Sequence, residues 1–323
     1  MNERERVAVT GAGGFVGAAL CRRLAADGYD VLGLDVNDAA AARVRDTGAE
    51  FARVDTTDRA SLDAALARVR RVAHTAAVVG DWGPRELYER VNVGGTGNVI
   101  DAARAAGAER VVHVSSVAVW GYEFAREIGE DEPPHPCGNP YIDTKGESEL
   151  LALSKGATVV RPGDVYGPES TQWVVRPLTL AKRGRLLVPG RGDGIVTPVY
   201  IDDLVDCIAR ALTHPVAAGK AFTAWDGEPV TVRDYYDHFG RMTGRKIRSV
   251  PLHIAVAAGL AQEAVARLRR TTPDFTRASI TFLSRKAVYP NARARELLGW
   301  EPRVRLDEGM RRTEEWARAT GLL

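Results

Sequence analysis

The segment VAVTGAGGFVGAALCRRLAADG (residues 7–28) decides the fold class. A short β-rich run leads into an Ala-rich helical pattern, with glycines at positions 11, 14 and 17 where the two meet. In such a turn the first glycine permits a tight bend, the second lets backbone N–H groups approach a pyrophosphate, and the third lets the helix pack on the strand. Three glycines at this spacing arise by chance about 0.3 times in a chain this rich in glycine, so their context must support them.

The first half of the chain alternates short β-rich runs with longer amphipathic stretches, which is typical of a parallel sheet covered by helices on both faces. Strands are predicted at 6–11, 30–36, 49–55, 71–77, 110–116 and 157–163, with helices near 14–28, 58–68, 84–106 and 141–155. Beyond Pro162 the alternation breaks, and we predict helices at 172–183 and within 197–212, a strand at 220–227 and an extended piece at 245–251.

These patterns predict an α/β fold with a Rossmann-type, doubly wound parallel sheet and a smaller, mostly helical substrate-binding lobe. We assign residues 1–165 and about 197–226 to the NAD-binding domain, and about 166–196 and 227–323 to the lobe.

Composition excludes several classes of function. The net charge of +2 arises from 44 basic and 42 acidic residues, so the chain has no strong field to attract nucleic acid. Three widely spaced cysteines without a CxxC motif suggest neither a disulfide framework nor a metal site, and we expect a reducing cytoplasm. The amino terminus lacks the apolar core of a signal peptide.

The most apolar later segment is LHIAVAAGLAQEAVARL (residues 252–268). Gln262 and Glu263 interrupt it after about ten residues, which is too short a run to span a bilayer. Residues 252–261 could line an apolar pocket or touch a membrane surface, and the sequence leaves both alternatives open. We expect a soluble protein without a transmembrane segment.

Two acidic residues follow predicted strands where a nucleotide would bind. Asp35 lies 18 residues after Gly17, where a carboxylate can accept hydrogen bonds from both ribose hydroxyls and would repel a 2′-phosphate. Because neither Val36 nor Asn37 supplies a cation, we predict NAD in preference to NADP. Asp55 could meet the adenine amino group or cap the helix that begins near residue 58, and both interpretations stay open.

Tyr141 and Lys145, in NPYIDTKGESE (residues 139–149), form a Y-x-x-x-K pair. The chain has six lysines against 38 arginines, and such a pair arises by chance about 0.2 times, so it is moderately informative. On a helix the two side chains share a face. A nearby ammonium favours phenolate, which would bring the tyrosine pKa towards the range useful for proton transfer. The alternative is an ordinary pair on a solvated helix start.

The glycine turn, together with HTAA (74–77), VNVGGTGNVIDAA (91–103), VSSVAVWG (114–121), YIDTK (141–145) and RPGDVYGP (161–168), resembles the extended short-chain dehydrogenase/reductase superfamily, that is, the NAD-dependent epimerase/dehydratase superfamily. The resemblance implies that Tyr141 is the catalytic acid/base and Lys145 its helper. It also implies that Ser116 holds the substrate oxygen, with Ser115 as the competing assignment, and that Asn92 supports the lysine through water. His74 is expected to be a strand-end residue and no catalyst.

The resemblance also implies a set of residues that contact NAD along the carboxyl edge of the sheet. The set comprises Gly11, Gly13, Gly14, Phe15, Val16, Gly17, Asp35, Asp55, Thr56, Ala76, Ala77, Tyr141, Lys145, Pro162 and Gly163.

Sugar-nucleotide members need features that this sequence lacks. Thr197 and Pro198 stand where a diphosphate-binding arginine is expected, RPGDVYGP lacks the usual asparagine, and Val117 and Ala118 replace a dehydratase's Asp–Glu pair. Large aromatic residues instead cluster near strand ends. We predict substrate contacts from Trp82, Ser116, Trp120, Tyr166, Trp173 and Tyr200, with Tyr122 nearby.

The pattern is most similar to the 3β-hydroxysteroid dehydrogenase-like branch. It implies an NAD-dependent oxidoreductase that interconverts a secondary alcohol and a ketone on an apolar small molecule, either sterol-like or a long-chain 3-keto acid. The alternatives are a nucleotide-sugar 4-epimerase and a non-catalytic NAD(P)-sensing protein. By analogy with the family, a homodimer is expected to form through helices 84–106 and 141–155.

Overall fold

A computed structural model describes residues 4–323, and residues 1–3 of the predicted NAD-binding domain lie outside the described residues. Seven parallel strands form the main sheet in the order β11-β6-β5-β4-β1-β2-β3. The strands of the chain are β1 (Arg6–Thr10), β2 (Asp30–Asp35), β3 (Glu50–Arg53), β4 (Arg71–His74), β5 (Arg110–Val114), β6 (Thr158–Pro162), β7 (Asp164–Tyr166), β8 (Leu187–Pro189), β9 (Ile195–Val196), β10 (Pro198–Tyr200), β11 (Ala221–Ala224), β12 (Val230–Thr231) and β13 (Arg248–Val250).

Helices cover both faces of this sheet. In chain order, the α-helices of the protein are α1 (Phe15–Ala26), α2 (Ala41–Arg45), α3 (Arg59–Leu66), α4 (Arg85–Tyr88), α5 (Gly95–Ala105), α6 (Pro140–Ser154), α7 (Arg176–Lys182), α8 (Ile201–Thr213), α9 (Val232–Thr243), α10 (Leu252–Arg269), α11 (Arg277–Phe282), α12 (Ala292–Leu298) and α13 (Leu306–Ala319). The predicted α/β fold class with a Rossmann-type parallel sheet is confirmed.

Strand β1 shows why the sequences of the strands are continuous apolar runs. Val7 and Val9 belong to the core cluster that includes α1 and α8, while Ala8 between them belongs to the cluster that includes α3 and α5. Because successive side chains of a strand point to opposite faces, both faces of β1 are buried.

The predicted helix at 84–106 is not one regular helix. A π-helical segment, Glu89–Gly94, separates α4 from α5. A second π-helical segment, Thr171–Val175, precedes α7 in the predicted helix 172–183. Such local widening of a helix leaves the hydrophobic pattern almost unchanged, and it often occurs at functional sites.

The remainder of the chain forms three two-stranded sheets, β10–β7, β12–β9 and β13–β8, with helices around them. Strand β13 falls within the extended piece predicted at 245–251. The division into an NAD-binding domain and a substrate-binding lobe stays our proposal. Within residues 4–323, no helix has both the length and the apolar character needed to cross a bilayer.

The sheet order reverses at β1, whose neighbours are β2 and β4. Chain connections leave such a point in opposite directions and open a crevice at the carboxyl ends of the strands. The fold therefore offers a binding site beside the glycine turn that follows β1.

Candidate active site

The turn after β1 exposes the amino terminus of α1. Gly14 caps this helix without any side-chain hydrogen bond, so backbone N–H groups of the first turn, which includes Phe15 and Val16, remain available to a ligand. A Cβ on Gly17 would lie 2.1 Å from the Gly11 carbonyl oxygen, so only glycine allows this close approach of helix and strand. The turn fits a pyrophosphate group.

Asp35 ends β2 with its carboxylate fixed beside that turn. Its two oxygens accept hydrogen bonds from the Gly13 N–H at 2.9 Å and the Asn37 N–H at 3.0 Å. A Cβ on Gly13 would lie 2.3 Å from the Ala40 Cβ and 3.0 Å from Asp35 Oδ2, so a larger residue would not fit here without a shift. The carboxylate is thus oriented where ribose hydroxyls are expected.

Replacing Asp35 with serine is expected to raise the KM for NAD about tenfold or more, because each lost hydrogen bond to a charged group weakens binding by about 1.5–3 kcal/mol. The preference for NAD over NADP, measured as the ratio of kcat/KM values, should fall with it. Asp38→Ser is the control, since Asp38 is an exposed acid on the same edge that pairs with Arg53. An unchanged ratio in Asp35→Ser would contradict the assignment.

The third strand is followed by Asp55, and here the structure removes one of the two interpretations. Asp58 itself caps α3 by accepting from the Ala60 and Ser61 N–H groups. Asp55 instead accepts from the Thr57 N–H and hydroxyl, both at 2.8 Å. Asp55 therefore does not cap the helix, which leaves the adenine contact as the proposal.

The other predicted cofactor contacts lie at strand ends along the same crevice. Thr56 follows β3, and its carbonyl accepts a hydrogen bond from Asn98 at 3.1 Å. Ala76 and Ala77 follow β4 and are half-buried. Pro162 ends β6, and the Gly163 N–H donates to the Ala224 carbonyl of β11 at 2.9 Å.

Tyr141 and Lys145 lie in the first two turns of α6. The Asn139 side chain caps the helix by accepting from the Tyr141 N–H at 2.9 Å and the Ile142 N–H at 3.2 Å. Lys145 is only 3% exposed, and its Nζ donates to the Val114 carbonyl at the end of β5, at 2.6 Å. A lysine buried this way is not a solvated helix residue, so the alternative of an ordinary surface pair fails for Lys145.

Burial sets the pKa values of this pair. It lowers the pKa of Lys145 to about 8, opposed by the negative charge of Glu149. It raises the pKa of Tyr141, opposed by a hydrogen bond with the Ser116 side chain and reinforced by Tyr88. We expected Lys145 to lower the tyrosine pKa, but in the chain alone burial raises it. The phenol is therefore protonated at neutral pH and can donate a proton.

The two serines after β5 have different surroundings. The Ser115 hydroxyl is buried and donates to the Glu149 carboxylate at 2.6 Å. Ser116 is half-buried, and its Oγ accepts from the Ala118 N–H at 3.1 Å beside Tyr141. This arrangement favours Ser116 over Ser115 as the residue that would meet a substrate oxygen.

A buried ion pair beneath the site escaped the sequence analysis. Glu149, one turn after Lys145, is fully buried and pairs with Arg161 of β6 through Nε at 3.0 Å and Nη2 at 2.6 Å. Arg161 Nη1 also donates to the Glu130 carbonyl at 2.7 Å. The signal that could have found it is an arginine within the otherwise apolar strand TVVRP (158–162).

Asn92 lies in the π-helical segment before α5 and is 1% exposed. Its side chain accepts from the Val78 N–H at 2.8 Å and donates to the Val78 carbonyl at 3.2 Å and to the Thr144 hydroxyl at 3.1 Å. These direct bonds tie the segment after β4 to α6, one residue before Lys145.

Two histidines are buried below Lys145. His74 hydrogen-bonds Thr10 at 2.7 Å and Thr96 at 3.0 Å. Burial, together with the Lys145 charge, lowers the pKa of His74 to about 3 and that of His113 well below its usual value. Both rings are neutral at physiological pH, and each bonds a hydroxyl of a neighbouring helix, His74 to Thr96 of α5 and His113 to Ser148 of α6, so neither acts as an acid there.

A cavity of about 650 Å³ opens next to Tyr141, with Asn139 and Pro140 in its wall. The lining further includes Asp81, Trp82, Tyr122, Cys137, Arg267 and Arg277. The guanidinium of Arg267 lies 5.2 Å from the centroid of the Trp82 ring, which joins α10 to the segment after β4. This cavity is the candidate substrate pocket.

Of the aromatic residues predicted to contact substrate, Trp82 lines this cavity. Trp120 is instead 1% exposed and stacked on Tyr289, with its Nε1 bonded to the Glu132 carbonyl at 2.9 Å. Tyr166 and Tyr200 are also buried and pack edge to face, and Trp173 is partly buried against Tyr235 and Phe282. Trp120, Tyr166 and Tyr200 are core residues with no surface for a substrate, which corrects that expectation.

Comparisons with known proteins agree on the family. The model of the NAD dependent epimerase/dehydratase family matches residues 7–224. A 2-alkyl-3-oxoalkanoate reductase of Stenotrophomonas maltophilia is 33% identical, with 95% of this chain and 98% of that protein covered. A UDP-glucose 4-epimerase of Mycolicibacterium smegmatis is 32% identical, with 97% and 98% covered. Sterol demethylase protein B of Methylococcus capsulatus is 31% identical, with 91% and 93% covered.

Among solved structures, MoeE5 in complex with UDP-glucose and NAD superposes with a TM-score of 0.79 at 24% identity, covering 98% of this chain and 99% of that one. This likeness agrees with the fold described above.

Proposed function

Because this chain belongs to the NAD dependent epimerase/dehydratase family, whose members are NAD-dependent enzymes, we propose that it interconverts a secondary alcohol and a ketone on an apolar substrate. The substrate is sterol-like or a long-chain 3-keto acid. The observation that carries the proposal is the buried Lys145 one helical turn after Tyr141, with the half-buried Ser116 side chain beside the phenol.

Each residue of this set has a distinct role in the proposal. In the direction of ketone reduction, the Tyr141 phenol donates its proton to the carbonyl oxygen, and in alcohol oxidation the phenolate takes that proton back. The Ser116 hydroxyl donates a hydrogen bond to the same oxygen and fixes its position. The Lys145 ammonium favours the phenolate once the proton has left. Bound NAD(H) accepts or supplies the hydride.

The residues around the crevice fit the dinucleotide. The amino terminus of α1 would hold the pyrophosphate, and Asp35 would bind the adenosine ribose hydroxyls. Pro162 and Gly163 would lie by the nicotinamide amide.

The surroundings of Asp164 support an apolar substrate over a nucleotide sugar. Asp164 follows β6, in the segment where sugar-nucleotide members of the family are expected to carry a substrate-binding asparagine. Here its buried carboxylate accepts from the Thr197 N–H at 2.8 Å and pairs with the buried Arg285. The carboxylate and the guanidinium thus neutralise each other within the protein. The similarity to a reductase and to an epimerase is nearly equal, at 33% and 32%, so it does not separate the two activities.

A substrate panel tests this proposal against the 4-epimerase and the non-catalytic alternatives. The purified protein is incubated with NAD and steroid alcohols, with NADH and 3-keto acids, and with UDP-glucose, while absorbance of the reduced cofactor is followed. A net absorbance change with an apolar alcohol or ketone is expected. Formation of UDP-galactose without net cofactor change would favour the epimerase, and binding of NADH without turnover of any substrate would favour the sensor.

Two further expectations concern assembly and location. The exposed Leu150 on α6, 51% exposed, agrees with a homodimer formed through α6 and the segment 84–106, as size-exclusion chromatography with light scattering would test. A cytoplasmic location also stays a prediction.

A further inference from the structure

Helix α10 presents an apolar face to solvent. Of the nine exposed large apolar side chains in residues 4–323, five belong to this one helix, and Leu268 is 85% exposed. The apolar residues on the exposed face recur every three or four positions and comprise Ile254, Ala257, Leu260, Ala261, Ala264, Val265 and Leu268, with the exposed His253 among them near the start of the helix. The opposite face is buried and carries Ala255, Gly259, Glu263 and Ala266. A soluble monomer rarely exposes so large a contiguous apolar strip without a partner.

Positive charge borders this strip. At 100° per residue, Arg267 and Arg269 fall on opposite margins of the apolar face, and both are exposed. The one acidic residue of α10, Glu263, points inward, is 6% exposed and accepts from the Arg277 N–H at 2.7 Å. The outer face therefore carries no carboxylate. Residues 241–277 hold eight basic and two acidic side chains, in a chain whose net charge is only +2.

We propose that this face of α10 docks on the surface of an anionic phospholipid bilayer. A helix with an apolar strip bordered by arginines lies in the plane of the interface, where the strip enters the acyl boundary and the guanidinium groups meet lipid phosphates. The helix lies on the bilayer and does not cross it.

Charge argues against a second copy of the chain as the occupant. Exposed basic residues precede the helix, at Arg245, Lys246 and Arg248, and others end it, at Arg269 and Arg270. Two copies that paired these faces would bring basic ends together in either orientation, and the strip offers no acid to compensate. An anionic bilayer complements both ends at once.

The position of α10 means that docking would affect how a substrate reaches the cavity beside Tyr141. Glu263 on the inner side of the helix and Arg267 on its margin both line the cavity beside Tyr141. An apolar substrate dissolved in the bilayer would then lie one helix diameter from the pocket. This consequence rests on the proposed function, whereas docking itself does not.

Vesicle co-sedimentation tests docking without reference to activity. The full chain is mixed with phosphatidylcholine vesicles that contain or lack phosphatidylglycerol. Binding is expected to be stronger to the anionic vesicles and to weaken as salt is raised. Leu260→Glu/Leu268→Glu should abolish binding, while Leu260→Met/Leu268→Met, which keeps the strip apolar, should retain it. Unaltered NADH binding would show that the glutamate variant is folded.

The arginines are tested by charge reversal. Arg269→Glu/Arg270→Glu should weaken binding to anionic vesicles by roughly fivefold or more for each arginine. Arg68→Glu, at an exposed arginine after α3, is the matched control and should bind normally. No sedimentation of the wild-type chain with anionic vesicles would overturn the proposal. So would a glutamate variant that sediments normally, or one that only alters the oligomeric state in size exclusion.

Discussion

Replacing Tyr141 with phenylalanine is expected to lower kcat/KM about a thousandfold, because the variant lacks the proton that the reacting oxygen must gain or lose. Binding of NADH should be nearly unchanged, since the ring and the capped start of α6 remain. The Asn139 side chain still accepts from the backbone N–H groups of residues 141 and 142 in the variant. The loss should therefore fall on turnover.

Steady-state kinetics on the substrate found in the panel, together with NADH fluorescence titration, measures both quantities. Tyr29→Phe is the matched control, because Tyr29 is partly buried at the amino end of β2 and removal of its hydroxyl touches nothing in the site. Activity of Tyr141→Phe within tenfold of the wild type would exclude the phenol as the proton donor.

The second large effect is expected on stability. Replacing Glu149 with alanine should lower the free energy of unfolding by about 3–5 kcal/mol, because it leaves the Arg161 guanidinium buried without its counter-charge. The side chains of Arg161 and Glu149 are 4% and 0% exposed, so the remaining guanidinium would be poorly hydrated. The Ser115 hydroxyl loses its acceptor as well.

Denaturant unfolding of the wild type and the variant measures this difference. Asp63→Ala is the control, because it breaks the exposed pair of Arg59 and Asp63 at 2.8 Å, and it should cost less than about 1 kcal/mol. The double variant Glu149→Leu/Arg161→Met, which removes both charges, should recover part of the loss. A Glu149→Ala variant as stable as Asp63→Ala would show that the buried pair contributes little.

The parallel sheet could be predicted because its strands are buried on both faces. Burial on both sides makes each strand a short apolar run, as Val7, Ala8 and Val9 show, and the helices between them keep their own period. The break of the helix 84–106 at Glu89–Gly94 could not be predicted, because one extra residue in a turn barely disturbs the hydrophobic pattern.

In the site, the contacts that are local in sequence could be predicted and the distant ones could not. The glycine turn and the Tyr141–Lys145 pair depend on spacings within one element. The pairing of Glu149 with Arg161 joins a helix to a strand, and although an arginine within an apolar strand indicates a buried charge, the local sequence does not identify Glu149 as its partner. The aromatic residues near strand ends show a related limit, since Trp120 packs in the core while Trp82 lines the cavity.

The direction in which the pKa of Tyr141 shifts shows why a neighbouring charge alone does not predict a side chain's pKa. The sequence places an ammonium one turn away, which lowers a phenol pKa, but it does not report how completely the phenol is desolvated. In the folded chain burial raises the pKa of Tyr141, and the Ser116 side chain opposes it only in part. The protonated phenol suits the direction of ketone reduction at neutral pH.

Transfer of deuterium from NADH tests the central claim most directly. The protein is incubated with NADH deuterated at C4 of the nicotinamide, in both faces, and with a long-chain 3-keto acid or a 3-ketosteroid, and the product is analysed by mass spectrometry. The proposed function predicts an alcohol that carries one deuterium on the carbinol carbon. An absence of deuterium in every apolar product, alongside UDP-galactose formed from UDP-glucose without consumption of NADH, would contradict it.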